Sequence, residues 1–151
     1  MNPSRRVALK ASGAFAVLVS LGIATPSQAQ SAMNRAGFQA KTLSDALRAL
    51  GSTPATSDQV SVVSPDVAEN GAVVPVSAIS RLLNTTEIYF LVEKNPLPLA
   101  AAFFLPAGTA ADVQTRLKMS ESSNVVVVVR AGGRLFSAVK ATRVTLGGCG
   151  G

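Results

Sequence analysis

The chain has one cysteine, Cys149, and it stands in the stretch Leu146-Gly147-Gly148-Cys149-Gly150-Gly151. Its thiol is the one strong nucleophile available. There is no histidine, so the commonest general base and the commonest metal ligand are both missing. Ser/His/Asp and Cys/His catalytic sets are excluded on that ground. A single cysteine also excludes an internal disulfide and a thiolate metal cluster. The stretch LPAGTAAD lacks the Lys-Ser/Thr pair that a phosphate loop needs. Asp66, Glu69, Glu87, Glu93, Asp112 and Glu121 do not have metal-loop spacing and read as solvated strand-edge or turn residues. Arg134, Lys140 and Arg143 read as a solvated face of the last strand, with help to an anionic group near the tail as a second reading. The sequence therefore predicts no catalytic residue, no metal site and no cofactor.

The thiol that remains has unusual surroundings. Gly147, Gly148, Gly150 and Gly151 are the most permissive backbone residues, so GGCGG reads as a flexible arm. Three residues beyond Leu146 carry the sulfur roughly 10 Å past the last strand. With no bulky neighbours, the cysteine could enter a narrow pocket together with its backbone. Nothing in the tail activates it, and a thiol near the ordinary value of about 8.5 is mostly protonated at neutral pH. The nearby terminal carboxylate disfavours a second negative charge. An accessible but weakly activated thiol suits a group that is presented to other enzymes. Other readings are an incidental thiol, or a link between two copies of a structural, immunoglobulin-like exported subunit. A ubiquitin-like carrier using the terminal Gly-Gly is disfavoured by the strand-rich pattern. A prenylation signal is excluded because its cysteine stands fourth from the end.

The elements that must position this arm begin after a leader. MNPSRRVALK is basic, ASGAFAVLVSLGIA is apolar, and TPSQAQ offers Ser27 and Ala29 as small residues before a cut. Residues 1–29 therefore read as a cleaved signal peptide, with Arg5-Arg6, Ser4, Leu9 and Lys10 matching a twin-arginine pattern and Ala8 replacing its usual Phe. The apolar run is short for a membrane anchor. Removing residues 1–29 takes away Arg5, Arg6 and Lys10 but no acid, so the formal charge falls from +6 to +3. That charge, spread without runs, argues against nucleic acid as a partner.

Residues 30–145 read as one domain, and 146–151 as the tail. KTLSDALRALG predicts a short helix, capped by Thr42, stopped by Gly51, with Leu43, Ala46, Leu47 and Leu50 on one face. Strand signals follow in QVSVVSP, in the valine run after the tight-turn pair Asn70-Gly71, in EIYFLVEK and in LAAAFFLP. DVQTRLKM alternates, which predicts a strand with one wet face. SNVVVVVR is too β-branched for a helix and predicts a central strand buried on both faces. RLFSAVKATRVTL alternates into the tail. About seven strands at this spacing predict an all-β, immunoglobulin-like sandwich of two sheets with a short N-terminal helix.

The leader, SPDVAENGAVVPV at 64–76, TRLKMSESSNVVVVV at 115–129 and the terminal GGCGG resemble, in this order along the chain, the SoxY family of bacterial thiosulfate-oxidising systems. The resemblance implies a periplasmic, non-enzymatic carrier that holds sulfur intermediates covalently on Cys149 and pairs with a second β protein, SoxZ. It further implies transient partners: the haem enzyme SoxXA, the dimanganese hydrolase SoxB and, in organisms that have it, the sulfane dehydrogenase SoxCD. Metals and haems would belong to those partners.

Overall fold

In the computed structural model the described residues are 26–146, so residues 1–25 of the leader and the glycines and cysteine of the tail lie outside them. Two helices come first, α1 (Pro26–Gln39) and α2 (Leu43–Leu50). The strands are β1 (Ala55–Thr56), β2 (Val60–Val63), β3 (Val67–Ala68), β4 (Val74–Ser80), β5 (Thr85–Val92), β6 (Leu99–Phe104), β7 (Asp112–Leu117), β8 (Ser123–Ala131) and β9 (Arg134–Val144). Seven of these are the strands expected from the pattern. The other two, β1 and β3, are two-residue segments that run parallel to β9.

The strands form the expected sandwich. The larger sheet has the order β1-β9-β8-β5-β6, with β3 beside the far end of β9, and the smaller has the order β2-β4-β7. Val125, Val127 and Val129 of β8 point into the core between the sheets, with Ile88, Phe90 and Val92 of β5 and Val74, Val76 and Ala78 of β4. Val126 and Val128 point to the opposite face, under Ala46 and Leu50 of α2. β8 is therefore a central strand buried on both faces. A β-branched run suits such a strand, because it has no wet face to supply. β7 instead alternates exposed and inward residues, with Asp112, Gln114 and Arg116 outside.

The sequence cues at α2 work as expected. The Thr42 hydroxyl accepts the Asp45 amide at 3.1 Å, and Gly51, at φ 124°, takes the left-handed turn that ends the helix. α1 is the element that pattern reading missed. Its residues 34–39 carry no apolar face of helical period, and Gly37 explains how it still packs: a Cβ there would lie 2.9 Å from Leu99 Cδ2 of β6. The missing side chain lets the helix backbone approach the sheet. A cut after Ala29 would fall inside this helix.

Phe90 is fully buried between the sheets and meets Phe103 edge to face at 5.9 Å. Phe90→Ala should cost about 3–5 kcal/mol, read as a lowered denaturation midpoint in urea with little change in slope.

Candidate functional site

Cys149 and its glycines, Gly147, Gly148, Gly150 and Gly151, lie outside the described residues. What the structure defines is the root from which they continue. β9 is an eleven-residue strand whose register on β8 runs unbroken from Arg134 opposite Ala131 to Thr142 opposite Ser123. Its far end is then gripped from several sides. β3 pairs with it at Arg143 and Val144. The Arg143 amide donates to Asp66 O at 2.9 Å and the Thr145 amide to Ala68 O at 3.0 Å. The Val144 amide donates to Ser122 Oγ at 2.9 Å, and Thr145 Oγ1 donates to Glu69 O at 3.1 Å.

The last grip is at Leu146 itself. Its carbonyl accepts the Gly71 amide at 2.8 Å, and the Gly71 carbonyl in turn accepts the Met119 amide at 2.7 Å. The Asn70-Gly71 pair forms the expected turn, with Ala72 N–H on Asn70 Oδ1 at 2.9 Å. Instead of closing a hairpin between neighbouring strands, that turn holds the end of the final strand. The hydrogen-bonded frame thus reaches the residue immediately before GGCGG. Below it, the Ser64 and Thr142 hydroxyls share a buried hydrogen bond of 2.7 Å.

The charges around this end are mostly solvated. Asp66, Glu69, Glu93, Asp112 and Glu121 are exposed, as their spacing suggested. Lys140 is half-buried and pairs with Asp66 at 3.1 Å, a surface pair of small energetic weight. Arg143 is exposed at the root, whereas Arg134 stands at the opposite end of β9, 5.5 Å from the centre of the Phe136 ring. The three cations of β9 are therefore not gathered about the tail. On the smaller sheet, where β2 has ended and Pro75 of β4 has a neighbour on one side only, a shallow groove is lined by Ser64, Pro65, Pro75, Ser77, Gln114 and Arg116. Among the described residues, no group of three or more Asp, Glu, His or Cys is arranged to hold a metal ion.

Glu87 is the correction among the acids. It is 4% exposed rather than solvated. An odd position of β5 faces the helical layer, and a carboxylate there must be paired. Arg130 Nε donates to Glu87 Oε2 at 2.7 Å, and the Tyr89 hydroxyl donates to the same oxygen. Arg130 Nη2 reaches Leu50 O at 2.6 Å, so the cluster also satisfies the C-terminal carbonyl of α2. Asn34 Oδ1 of α1 lies 3.5 Å from the Tyr89 hydroxyl. Burial, then the Glu87 hydrogen bond, pushes the Tyr89 phenol well above its usual range. Burial alone disfavours the Arg130 guanidinium, but the hydrogen bond and charge of Glu87 outweigh it and hold its pKa above the ordinary value. The sequence signal was an acid two residues before a tyrosine in an otherwise apolar strand. The cluster lies toward the end of the sandwich away from the tail and fastens the helices to the sheet.

A family model described as "Sulfur oxidation protein SoxY" matches residues 46–149. The chain belongs to the SoxY family. The match takes in the sandwich, the root and the tail as far as Cys149. Among solved structures, the sulfur carrier protein SoxY from Chlorobium limicola f thiosulfatophilum shares 36% identity at a TM-score of 0.62, over 70% of this chain and 97% of that one. A superoxide reductase (neelaredoxin) from Ignicoccus hospitalis aligns at 17% identity and a TM-score of 0.47, over 57% of this chain and 80% of that one. Among curated protein sequences none matches. No helix among the described residues is long and apolar enough to cross a membrane.

Two outcomes test the buried cluster. Arg130→Met leaves the Glu87 carboxylate buried without its cation and should cost about 2–3 kcal/mol; adding Glu87→Gln should restore part of that loss in a double-mutant cycle. Tyr89 is the one tyrosine and there is no tryptophan, so phenolate absorbance reports this group alone. Its raised folded pKa means that its stabilisation is complete below the unfolded value of about 10 and is lost as pH climbs above it. Native protein should show no phenolate rise near pH 10, urea-unfolded protein should, and Tyr89→Phe should lack this alkaline loss of stability.

Proposed function

We propose that this SoxY chain is a covalent sulfur carrier whose attachment point is Cys149. The observation that carries the reading is the continuity of the family match from the sandwich through Leu146, the last described residue and one held by the hydrogen-bonded frame, to Cys149. A solved SoxY at 36% identity is described as a sulfur carrier protein. The chemistry follows from an isolated thiol. Joining thiosulfate to the Cys149 sulfur forms a sulfur–sulfur bond and releases the thiol proton and an electron pair, so a partner must accept the electrons. In this reading the redox and hydrolytic steps fall to other proteins, in keeping with a chain that has no histidine.

In this reading SoxXA takes the electron pair. SoxB uses water to release the terminal sulfone group as sulfate, and SoxCD, where present, oxidises the sulfane sulfur left on Cys149 before a second release restores the thiol. SoxZ is the standing partner. Residues 1–29 direct export to the periplasm by the twin-arginine route and are removed, residues 30–145 form the carrier domain, and 146–151 are the arm. Gly147, Gly148, Gly150 and Gly151 serve as small, permissive joints on either side of the sulfur, so that differently shaped active sites can admit it. In this reading the arm leaves from the clamp on Leu146.

Intact-mass measurement on protein taken from thiosulfate-fed cells should show sulfur adducts that a thiol reductant removes. Cys149→Ser should abolish them and thiosulfate-dependent growth together. Adducts persisting in Cys149→Ser, or a tail-linked dimer as the main cellular form with unimpaired growth, would overturn the reading.

A further inference from the structure

Asn70-Gly71 is a dipeptide of known chemical fragility, and here it sits at the root of the tail. Asn followed by Gly is the sequence in which ring closure is least hindered, because glycine puts no side chain in the way of the attacking amide. Asn70 is exposed, while Gly71 is buried. We propose that Asn70 is a site of spontaneous deamidation whose rate is set by the docking of the tail root. In the step, the Gly71 nitrogen loses its proton and attacks Asn70 Cγ. The carbon–nitrogen bond of the side-chain amide breaks and ammonia leaves. Water then opens the five-membered imide to aspartate or isoaspartate. No oxidant or reductant takes part.

The structure shows what restrains this reaction. The Gly71 N–H is committed to Leu146 O at 2.8 Å, so the nucleophile is held away from Cγ by the residue immediately before GGCGG. Asn70 Oδ1 is held in turn by the Ala72 amide at 2.9 Å, and Gly71 O by the Met119 amide at 2.7 Å. Ring closure requires Gly71 N to leave Leu146 and the Asn70 backbone to turn. Each opening of the root therefore exposes the reactive nitrogen. The product returns the effect to the root. Isoaspartate lengthens the backbone by one carbon within the turn that grips Leu146 and adds a negative charge beside the exposed Glu69. The clamp then cannot re-form in its original register, and the arm starts from a loosened base. The inference stands on the turn and the clamp, and does not depend on what Cys149 carries.

The test is peptide mapping of Asn70 during incubation at mildly alkaline pH, in the full chain and in two truncations. Ending the chain after Leu146 keeps the acceptor carbonyl position, and ending it after Thr145 removes it. The second should deamidate at Asn70 about fivefold faster than the first, the factor that one hydrogen bond's net worth makes in a local opening equilibrium. Hydrogen exchange at the Gly71 amide should accelerate in parallel. Gly71→Ala in the longer chain should slow the reaction by hindering closure. Equal rates in the two truncations, or conversion at Asn70 no faster than at Asn95 and Asn124 in the shorter chain, would overturn the proposal.

Discussion

Burial of β8 on both faces is the constraint on which the rest of this molecule depends. Five consecutive valines leave the strand no side that can meet water, so each face needs a cover. The smaller sheet covers Val125, Val127 and Val129, and the helical layer covers Val126 and Val128. A two-sheet sandwich alone would leave the second face bare. The helices are thus part of the core, and the Glu87–Arg130 cluster is the polar fastening that this arrangement requires, since it satisfies both a buried carboxylate and the end of α2.

The same strand fixes the position of the tail. β9 lies beside β8 through an unbroken register, and a slip of one residue would turn Leu135 out of the helical interface and Phe136 out of the core. Because β8 cannot slip without exposing valines, β9 cannot either, and its last residues arrive at a fixed place. There the small parallel strand β3, Ser122 and Gly71 take up the remaining backbone groups. The hydrogen-bonded frame built on the sheet thus holds Leu146, the residue immediately before the first glycine.

Much of this was legible in the sequence because local chemistry determined it. The cap at Thr42, the stop at Gly51, the wet face of β7 and the double-sided valine strand are each set by side-chain pattern and backbone preference within a few residues. The reading of Cys149 as a handle falls on residues outside those described. Three features were not legible. α1 packs through a close backbone approach at Gly37, which leaves no periodic apolar face to read. Glu87 resembles a solvated acid until Arg130, forty-three positions later, is brought beside it. Asn70-Gly71 signals a turn, but nothing near it in sequence signals that Leu146 is its partner.

The sequence by itself determined seven of the nine strand segments, where one helix begins and ends, and which sulfur the chain offers, since these follow from residue type, spacing and composition. Only the tertiary structure decided that a second helix covers the sheet, that Glu87 is buried and paired, and that a turn at Asn70-Gly71 grips the root of the tail. Those outcomes rest on contacts between residues forty or more positions apart, and such pairing is set by the burial of whole faces rather than by any local preference of the chain.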